Sequence, residues 1–379
     1  MLTAPVSELA IVMSGGGARA AYQVGLLRWL ARNRPDLRIP ILTGVSAGAI
    51  NAAFLAAHPT PFAEKVDCLA ALWTSLRTEK VFRVNSFSLT RNMLRLGFKL
   101  FSGGALMAPR THAAVDTAPL GELLEQVLAA KDGLLPGIDR NLKEGTLRAV
   151  AITTSSYTTG QSITWVQGRE IEQWERAHRR SFNTEITVKH VMASGALPLF
   201  FPAVQVGNDW YGDGGLRLTA PLSPAVHLGA DRILAISTRY VHRRAETDEP
   251  AAVGYPPPAV ILGAILNSIF LDQFDADALT MQRINTLLEA VPAMRERGFR
   301  PLKLLVLRPS ENLGRIANDY EFDLPASFRF LTRGLGTKET RTNDLLSLLM
   351  FQPDYLTRLI ELGEKDAETR RAEIEAFLG

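Results

Sequence analysis

Cysteine is almost missing from this sequence: Cys68 is the single one in 379 residues. One thiol builds neither an intrachain disulfide framework nor a cysteine zinc cluster. Its neighbours Leu69 and Leu72 continue a helical apolar pattern, so it is expected to be a buried structural thiol. Histidine is scarce too, with six in all. No Asp/His cluster calls for calcium or another metal, and no cofactor is expected. Charge of one sign hardly accumulates: 42 Lys and Arg face 39 Asp and Glu, a net charge of +3 with a pI near 9.0. No basic tract or RNA-type motif accompanies that small excess, which argues against nucleic acid as a partner but allows weak attraction to anionic lipid. Long hydrophobic runs are missing as well. The longest, Ala259 to Leu271, is broken by Asn267 and Ser268 and falls short of the roughly 20 residues of a membrane span. Residues 1–8 lack the pattern of a secretory signal and lead straight into a strand-like run. These absences predict a soluble, cytoplasmic protein, peripheral at most to a membrane. A composition of 46% hydrophobic and 21% charged residues reads as globular, in one large domain or two.

What is present is glycine placed where chains turn. Gly44-Val45-Ser46-Ala47-Gly48 is a G-x-S-x-G pentapeptide between Pro40-Ile41-Leu42-Thr43, a strand candidate, and Ala47 to Ala57, a helix candidate. A serine nucleophile needs a sharp strand-to-helix turn, with small neighbours so that backbone can approach. Ser14-Gly15-Gly16-Gly17-Ala18-Arg19 follows the apolar run Leu9 to Met13 and precedes a helical pattern from Ala20 to Ala31. A glycine loop at a helix N-terminus is an anion nest. It lacks the Gly-Lys-Ser/Thr of a phosphate loop and the third glycine of a dinucleotide loop, which leaves an oxyanion hole or an ordinary glycine-rich turn. The third segment is Trp210-Tyr211-Gly212-Asp213-Gly214-Gly215, an acid within a run of glycines. It reads either as a plain Asp-Gly turn or as a carboxylate delivered to another loop.

Together with Ala193-Ser194-Gly195-Ala196-Leu197-Pro198, Phe200 and Pro202, these segments resemble the patatin-like phospholipase family in order and spacing, best over residues 8–240. The strand-like run from Leu302 through Val306 and Leu307 to Pro309 resembles the closing segment of bacterial members. Ala20 departs from the glycine often found after the loop arginine. The resemblance implies an α/β fold: three α/β/α layers around a mostly parallel central sheet, with a helical C-terminal extension. It implies a serine–aspartate dyad, with Ser46 as nucleophile and Asp213 as base. The oxyanion would be held at Gly15, Gly16 and Gly17 with Arg19 close by, and Gly44, Gly48, Gly214 and Gly215 would be the motif glycines. The implied activity is lipid acyl hydrolysis of the phospholipase A or lysophospholipase type, through an acyl-enzyme on Ser46. Two alternatives stand beside it: a serine esterase or thioesterase for small soluble acyl substrates, and a non-catalytic lipid-binding regulator on the same fold. A Ser-Asp-His triad would draw on His227 or His242, the histidines after Asp213, with His227 the stronger candidate and still much weaker than the dyad. Ser194 lacks the flanking glycines of a nucleophile and is read as a small residue that lets a helix end approach the Ser46 turn.

Elsewhere, strands are expected at Thr146–Thr154, Ser162–Val166 and Asp231–Thr238, and a hairpin from Ala203 to Tyr211 that delivers Asp213. Helices are expected at Pro61–Leu76 and Thr187–Ser194, and one or two between Val260 and Val291. Residues 1–310 are expected to form the catalytic domain. Residues 311–379 form a helical extension packed on it, which is the candidate surface for homo-oligomer formation. Between Ser86 and Arg110, Arg91, Arg95 and Lys99 recur at four-residue steps beside Leu94, Phe98 and Phe101, with Gly103-Gly104 as a hinge. This stretch reads as a core helix with a solvated face, or as a peripheral membrane contact or lid over a lipid or acyl-ester substrate.

Overall fold

The computed structural model describes residues 8–83, 113, 115–241, 246, 255–270, 272–291, 293, 299–334, 336–337, 340 and 342–379. The basic stretch 86–110 and the loop 242–254 lie outside the described residues, apart from residue 246.

Ten described strands form one sheet. In chain order they are β1 (Leu9–Met13), β2 (Ile41–Val45), β3 (Ala149–Ser156), β4 (Ser162–Gly168), β5 (Glu175–Arg176), β6 (Arg179–Asn183), β7 (Val204–Val206), β8 (Asp209–Asp213), β9 (Arg232–Ile236) and β10 (Lys303–Leu307). The order across the sheet is β10-β9-β1-β2-β3-β4-β6-β5, with β8 on β3 and β7 on β8. The central block β10, β9, β1, β2 and β3 is parallel throughout, and antiparallel pairing begins at β3–β4.

Alternation of side chains across the pleat divides β1 between two cores. Leu9, Ile11 and Met13 join the larger one, with α1 (Ala21–Asn33), α2 (Ala47–Ala57), α3 (Phe62–Thr74) and the C-terminal helices. Ala10 and Val12 join the other, with Ile233, Ala235, Leu222, Ala225, Phe274 and Ala278. These are the expected three layers. Buried on both faces, the central strands read as continuous apolar runs, which is why they are visible in the sequence.

Three expectations change. Cys68 is exposed: the buried stripe of α3 is Val66, Leu69, Ala70 and Trp73, and position 68 falls on the opposite side of the turn. Strands β5 and β6 extend the sheet where the sequence showed none, because their charged edge carries no apolar alternation. The apolar run at 259–271 belongs to a longer feature, two helices at Pro258–Phe270 and Asp272–Ala290. Among the described residues this one stretch is long and apolar enough to cross a membrane by length and composition, though Phe274, Ala278 and Leu288 face the protein interior.

The C-terminal helices Asp344–Leu349 and Pro353–Thr369 complete the larger core. The latter crosses α1 closely: a Cβ on Gly25 would sit 2.0 Å from the Ile360 carbonyl oxygen, and one on Gly363 would sit 2.3 Å from that of Tyr22. Trp29 Nε1 donates to Glu368 at 2.6 Å and the Tyr22 hydroxyl donates to Asp366 at 3.0 Å, fastening the crossing.

Candidate active site

Strand β3 assembles the centre. One of its edges carries β4, paired from Ala149 to Ser155. The other carries β2, from Ile41 opposite Ala149 to Val45 opposite Thr153. Strand β8 takes over that second edge where β2 stops, antiparallel, with Tyr211, Gly212 and Asp213 opposite Ser156, Ser155 and Thr154. Strands β2 and β8 therefore approach end to end, so Ser46, one residue past β2, meets Asp213, the last residue of β8.

The Ser46 hydroxyl faces the Asp213 carboxyl and acts on it as a donor that lowers its pKa, and the Gly215 amide donates to it at 2.9 Å. Both residues are buried, Asp213 at 1% exposure. Burial raises the Asp213 carboxyl from 3.8 to about 7, against the lowering effect of the Ser46 hydroxyl and the Gly215 amide.

Ser46 sits at φ 55° and ψ −130°, a backbone region that side chains other than glycine rarely occupy. Its surroundings hold it there. The Ser46 amide donates to Ser194 Oγ at 2.9 Å, and Ser194 Oγ donates to the Thr153 carbonyl at 2.7 Å. Ser194 is fully buried. The sequence reading saw only its small size; the further signal is a hydroxyl within a run of small apolar residues that the fold buries. Gly44 and Gly48 let backbone cross beneath the turn: a Cβ on Gly48 would lie 2.4 Å from the Met13 carbonyl oxygen. Gly214 and Gly215 open a short 3₁₀ turn that directs an amide back to the carboxylate.

Residues 14–17 pass directly over the hydroxyl, and a Cβ on Gly15 would lie 3.0 Å from Ser46 Cβ. The loop's carbonyls are engaged elsewhere. Thr238 Oγ1 donates to the Gly15 carbonyl at 2.6 Å and Gln23 Nε2 to that of Ser14 at 2.7 Å. Among the described residues, nothing accepts from the amides of Gly15, Gly16 and Gly17. Arg19 lies in the turn after the loop, but its guanidinium points the other way. It donates to Ser347 at 2.7 Å, to the Asp344 carboxylate at 2.7 Å and to Asn267 at 3.3 Å. Its charge ties the loop to the C-terminal helices and does not line the space above Ser46.

The histidine candidates do not share this centre. His227 stacks on Trp174 with 4.6 Å between ring centroids, and burial together with Arg176 and Arg179 holds its pKa below the usual value. His242 lies outside the described residues. Among the described residues there is no group of three His, Cys, Asp or Glu side chains that could hold a metal. Tyr157, unremarked in the sequence beyond its turn, packs its hydroxyl against Gly212 beside Asp213, and burial followed by the Asp213 charge raises its pKa.

The family model described as patatin-like phospholipase matches residues 11–226, more than half of the chain. Among curated proteins none matches the sequence. Solved structures show distant likeness. The human GIVD cytosolic phospholipase A2 is 12% identical at a TM-score of 0.47, with 98% of this chain and 62% of that chain covered. VipD from Legionella pneumophila is 12% identical at 0.38, covering 97% and 67%. The type III effector ExoU, known from Pseudomonas aeruginosa, is 14% identical at 0.38, covering 97% and 53%. The chain thus spans about six-tenths of the human enzyme's length and about half of ExoU's. By its motifs, their order and the extent of the family match, the chain belongs to the patatin-like phospholipase family.

Proposed function

We propose that the chain is a lipid acyl hydrolase that cleaves carboxylic esters of phospholipid or lysophospholipid through an acyl-enzyme on Ser46. The observation that carries this reading is the Ser46 hydroxyl facing the buried, raised Asp213 carboxyl, next to a loop whose amides have no acceptor among the described residues. An ordinary carboxylate with a pKa near 4 is a poor base for an alcohol. One raised to about 7 remains substantially ionised at neutral pH and holds a proton far more strongly.

In the acylation step Ser46 Oγ attacks the ester carbonyl carbon as its proton passes to Asp213. The carbonyl oxygen becomes an oxyanion and takes hydrogen bonds from the amides of Gly15, Gly16 and Gly17. Collapse breaks the ester bond, and Asp213 returns the proton to the departing alcohol. In deacylation water attacks the acyl-serine, Asp213 takes its proton, and the fatty acid leaves as Ser46 recovers its hydrogen. Removing one oxyanion donor typically costs about 10²–10³ in turnover, so the glycine loop is expected to matter as much as the base.

The test is labelling by a long-chain fluorophosphonate together with hydrolysis of a panel of phospholipid, lysophospholipid, triglyceride and acyl thioester. Wild-type protein should be labelled at Ser46 and should turn over the glycerophospholipid esters fastest. Ser46→Ala should lose both labelling and hydrolysis. Undiminished hydrolysis by that variant would refute the assignment of the nucleophile, and a clear preference for soluble thioesters would refute the substrate class.

A further inference from the structure

Four side chains break the rule that a fold covers its large apolar groups. Leu199, Tyr255, Phe322 and Phe330 are 81%, 88%, 69% and 83% exposed, the highest values for large apolar residues among the described residues. One such residue alone would need no explanation. The roots of these four pack together. Phe201 and Phe328 flank the buried Phe82 ring, with centroids 5.7 and 5.4 Å from it, so Leu199 and Phe330 each emerge two residues away from one shared cluster. Phe330 lies on the helix Ala326–Gly334, and Arg329 and Arg333 of that helix lie over the Phe322 ring at 5.9 and 5.1 Å. Just past the helix, a Cβ on Gly336 would sit 2.5 Å from Pro257 Cβ, two residues from Tyr255. The helix Pro258–Phe270 begins there and carries the exposed Ile261 and Ile265 one turn apart.

This surface adjoins the Ser46 centre at two points. The carbonyl of Ala196, three residues before Leu199, accepts from the Asp213 amide at 3.0 Å. Asn267, on the helix Pro258–Phe270, accepts from Arg19 at 3.3 Å.

The chemistry of the surface selects its occupant. The helix Pro258–Phe270 has no charged residue, and its polar side chains are Asn267 and Ser268, of which Arg19 already engages the first. A protein interface carries a polar rim and about one hydrogen bond per 100–200 Å², which this helix has almost nothing to supply. Charge is muted beside it as well, since Arg333 pairs with Glu321 at 3.3 Å. The four anchors project from separate segments instead of lying in one flat patch. A protein partner would need a fixed pocket for each of them, whereas fluid hydrocarbon closes around any spacing. Aromatic rings are also the side chains that settle at the boundary between headgroups and acyl chains.

We propose that this face docks the protein on a lipid surface, with Leu199, Tyr255, Phe322 and Phe330 entering between the headgroups beside the Ser46 centre. The choice of lipid as occupant rests in part on the hydrolase reading above. The attraction comes from buried apolar area and needs no anionic lipid. A contact through the basic stretch 86–110 would behave differently, strengthening with anionic lipid and fading with salt.

Flotation of the Ser46→Ala chain with phosphatidylcholine vesicles tests the proposal, because that variant leaves the vesicles intact. It should bind, and its affinity should change by no more than about twofold between roughly 0.1 and 0.5 M salt. Adding Tyr255→Ser, Phe322→Ser and Phe330→Ser should weaken binding at least ~30-fold with an unchanged melting curve, since all three side chains are exposed. Leu199 stands at φ 70°, which asparagine accepts, so Leu199→Asn should weaken binding about fivefold on its own. With Ser46 restored, the triple variant should hydrolyse a soluble ester at the wild-type rate and vesicle lipid far more slowly. A chain that floats with vesicles but hydrolyses neither substrate removes the hydrolase reading and leaves the docking face standing. No flotation of Ser46→Ala, or equal flotation of the triple variant, overturns the proposal. Binding confined to anionic vesicles and abolished by salt overturns it in favour of the basic stretch. A dimer by light scattering that the triple substitution converts to monomer overturns it in favour of a second copy of the chain.

Discussion

At the scale of single residues, the proposed base Asp213 would set function against stability. Its carboxyl is fully buried, and its native value near 7 stands well above the 3.8 of an unfolded chain. Between those values the native state binds more protons than the unfolded state, so this group's contribution to stability falls as pH rises from about 4 to about 7. Above pH 7 the whole penalty is present, roughly 4 kcal/mol at 1.36 kcal/mol per pKa unit. Asparagine keeps the shape and an acceptor for the Ser46 hydroxyl and the Gly215 amide but carries no charge. Asp213→Asn should therefore lower kcat by at least ~10³ while raising stability to denaturant at pH 8 by about 2–4 kcal/mol, with little gain at pH 4. Denaturation curves at the two pH values, beside initial rates, check both halves. In the wild type, kcat/KM should climb about tenfold per pH unit up to an apparent pKa near 7 and then level, because the base must be ionised in the free enzyme. A flat profile between pH 5 and 8 would remove Asp213 from the role of base.

At the scale of elements, the site is a consequence of how β3 shares its edges. Strand β2 runs up one edge, β8 comes down the rest of it, and the residues at their facing ends meet. The ends themselves were legible in the sequence. A serine between glycines after Ile41 to Thr43, and an acid before Gly214-Gly215, each mark a turn whose backbone needs room. That the two turns converge was not legible from spacing, since register along β3 depends on long-range pairing, and it entered the sequence reading only through family resemblance. The brace under Ser46 was also hidden. Ser194 acts through its hydroxyl, accepting from the Ser46 amide and donating to the Thr153 carbonyl, and so links the end of the helix Val188–Ser194 to the β2 turn and to β3 at once. Nothing in a run of small residues distinguishes that hydroxyl from packing. The exposed Cys68 teaches the complementary point: adjacent leucines suggested burial, but a helix buries a stripe and not a neighbourhood. Ser194→Ala leaves two buried polar groups without their partner and should lower stability by about 1–3 kcal/mol. It should also lower kcat more than it raises KM, because the turn at φ 55° relaxes while the surface that receives substrate is unchanged. Ser194→Thr, which restores a hydroxyl, should recover part of kcat wherever its extra methyl fits, and equal kcat in wild type and Ser194→Ala would reduce Ser194 to filler.

At the scale of the whole molecule, a boundary at residue 310 separates parts that the packing joins. The helices Asp344–Leu349 and Pro353–Thr369 belong to the same core as β1, α1 and α2. They also reach the glycine loop at residues 15–17. A Cβ on Gly17 would lie 2.2 Å from the Leu348 carbonyl oxygen, so loop and helix meet backbone to backbone. Arg19, 4% exposed along its side chain, spends its donors on Ser347, Asp344 and Asn267. The chain end therefore makes two separable contacts: it covers α1, and it meets the glycine loop beside Ser46 at Gly17 and Arg19. A chain cut after residue 310 exposes Tyr22, Leu26, Leu30 and their neighbours, all fully buried in the intact protein, and should show no cooperative unfolding transition by circular dichroism. A soluble 1–310 fragment that hydrolyses esters at the full rate would show both contacts to be dispensable. The milder change separates them. Asp344→Ala removes the only ion pair described for Arg19 and leaves a buried guanidinium with neutral partners, which should lower stability by about 2–4 kcal/mol without unfolding the protein. If the arginine positions the loop, kcat should fall as well, measured well below the melting temperature, and a fluorophosphonate should label Ser46 more slowly although the serine and its base are untouched. If the pair serves only to hold the helix, the melting point should drop while the labelling rate keeps its wild-type value.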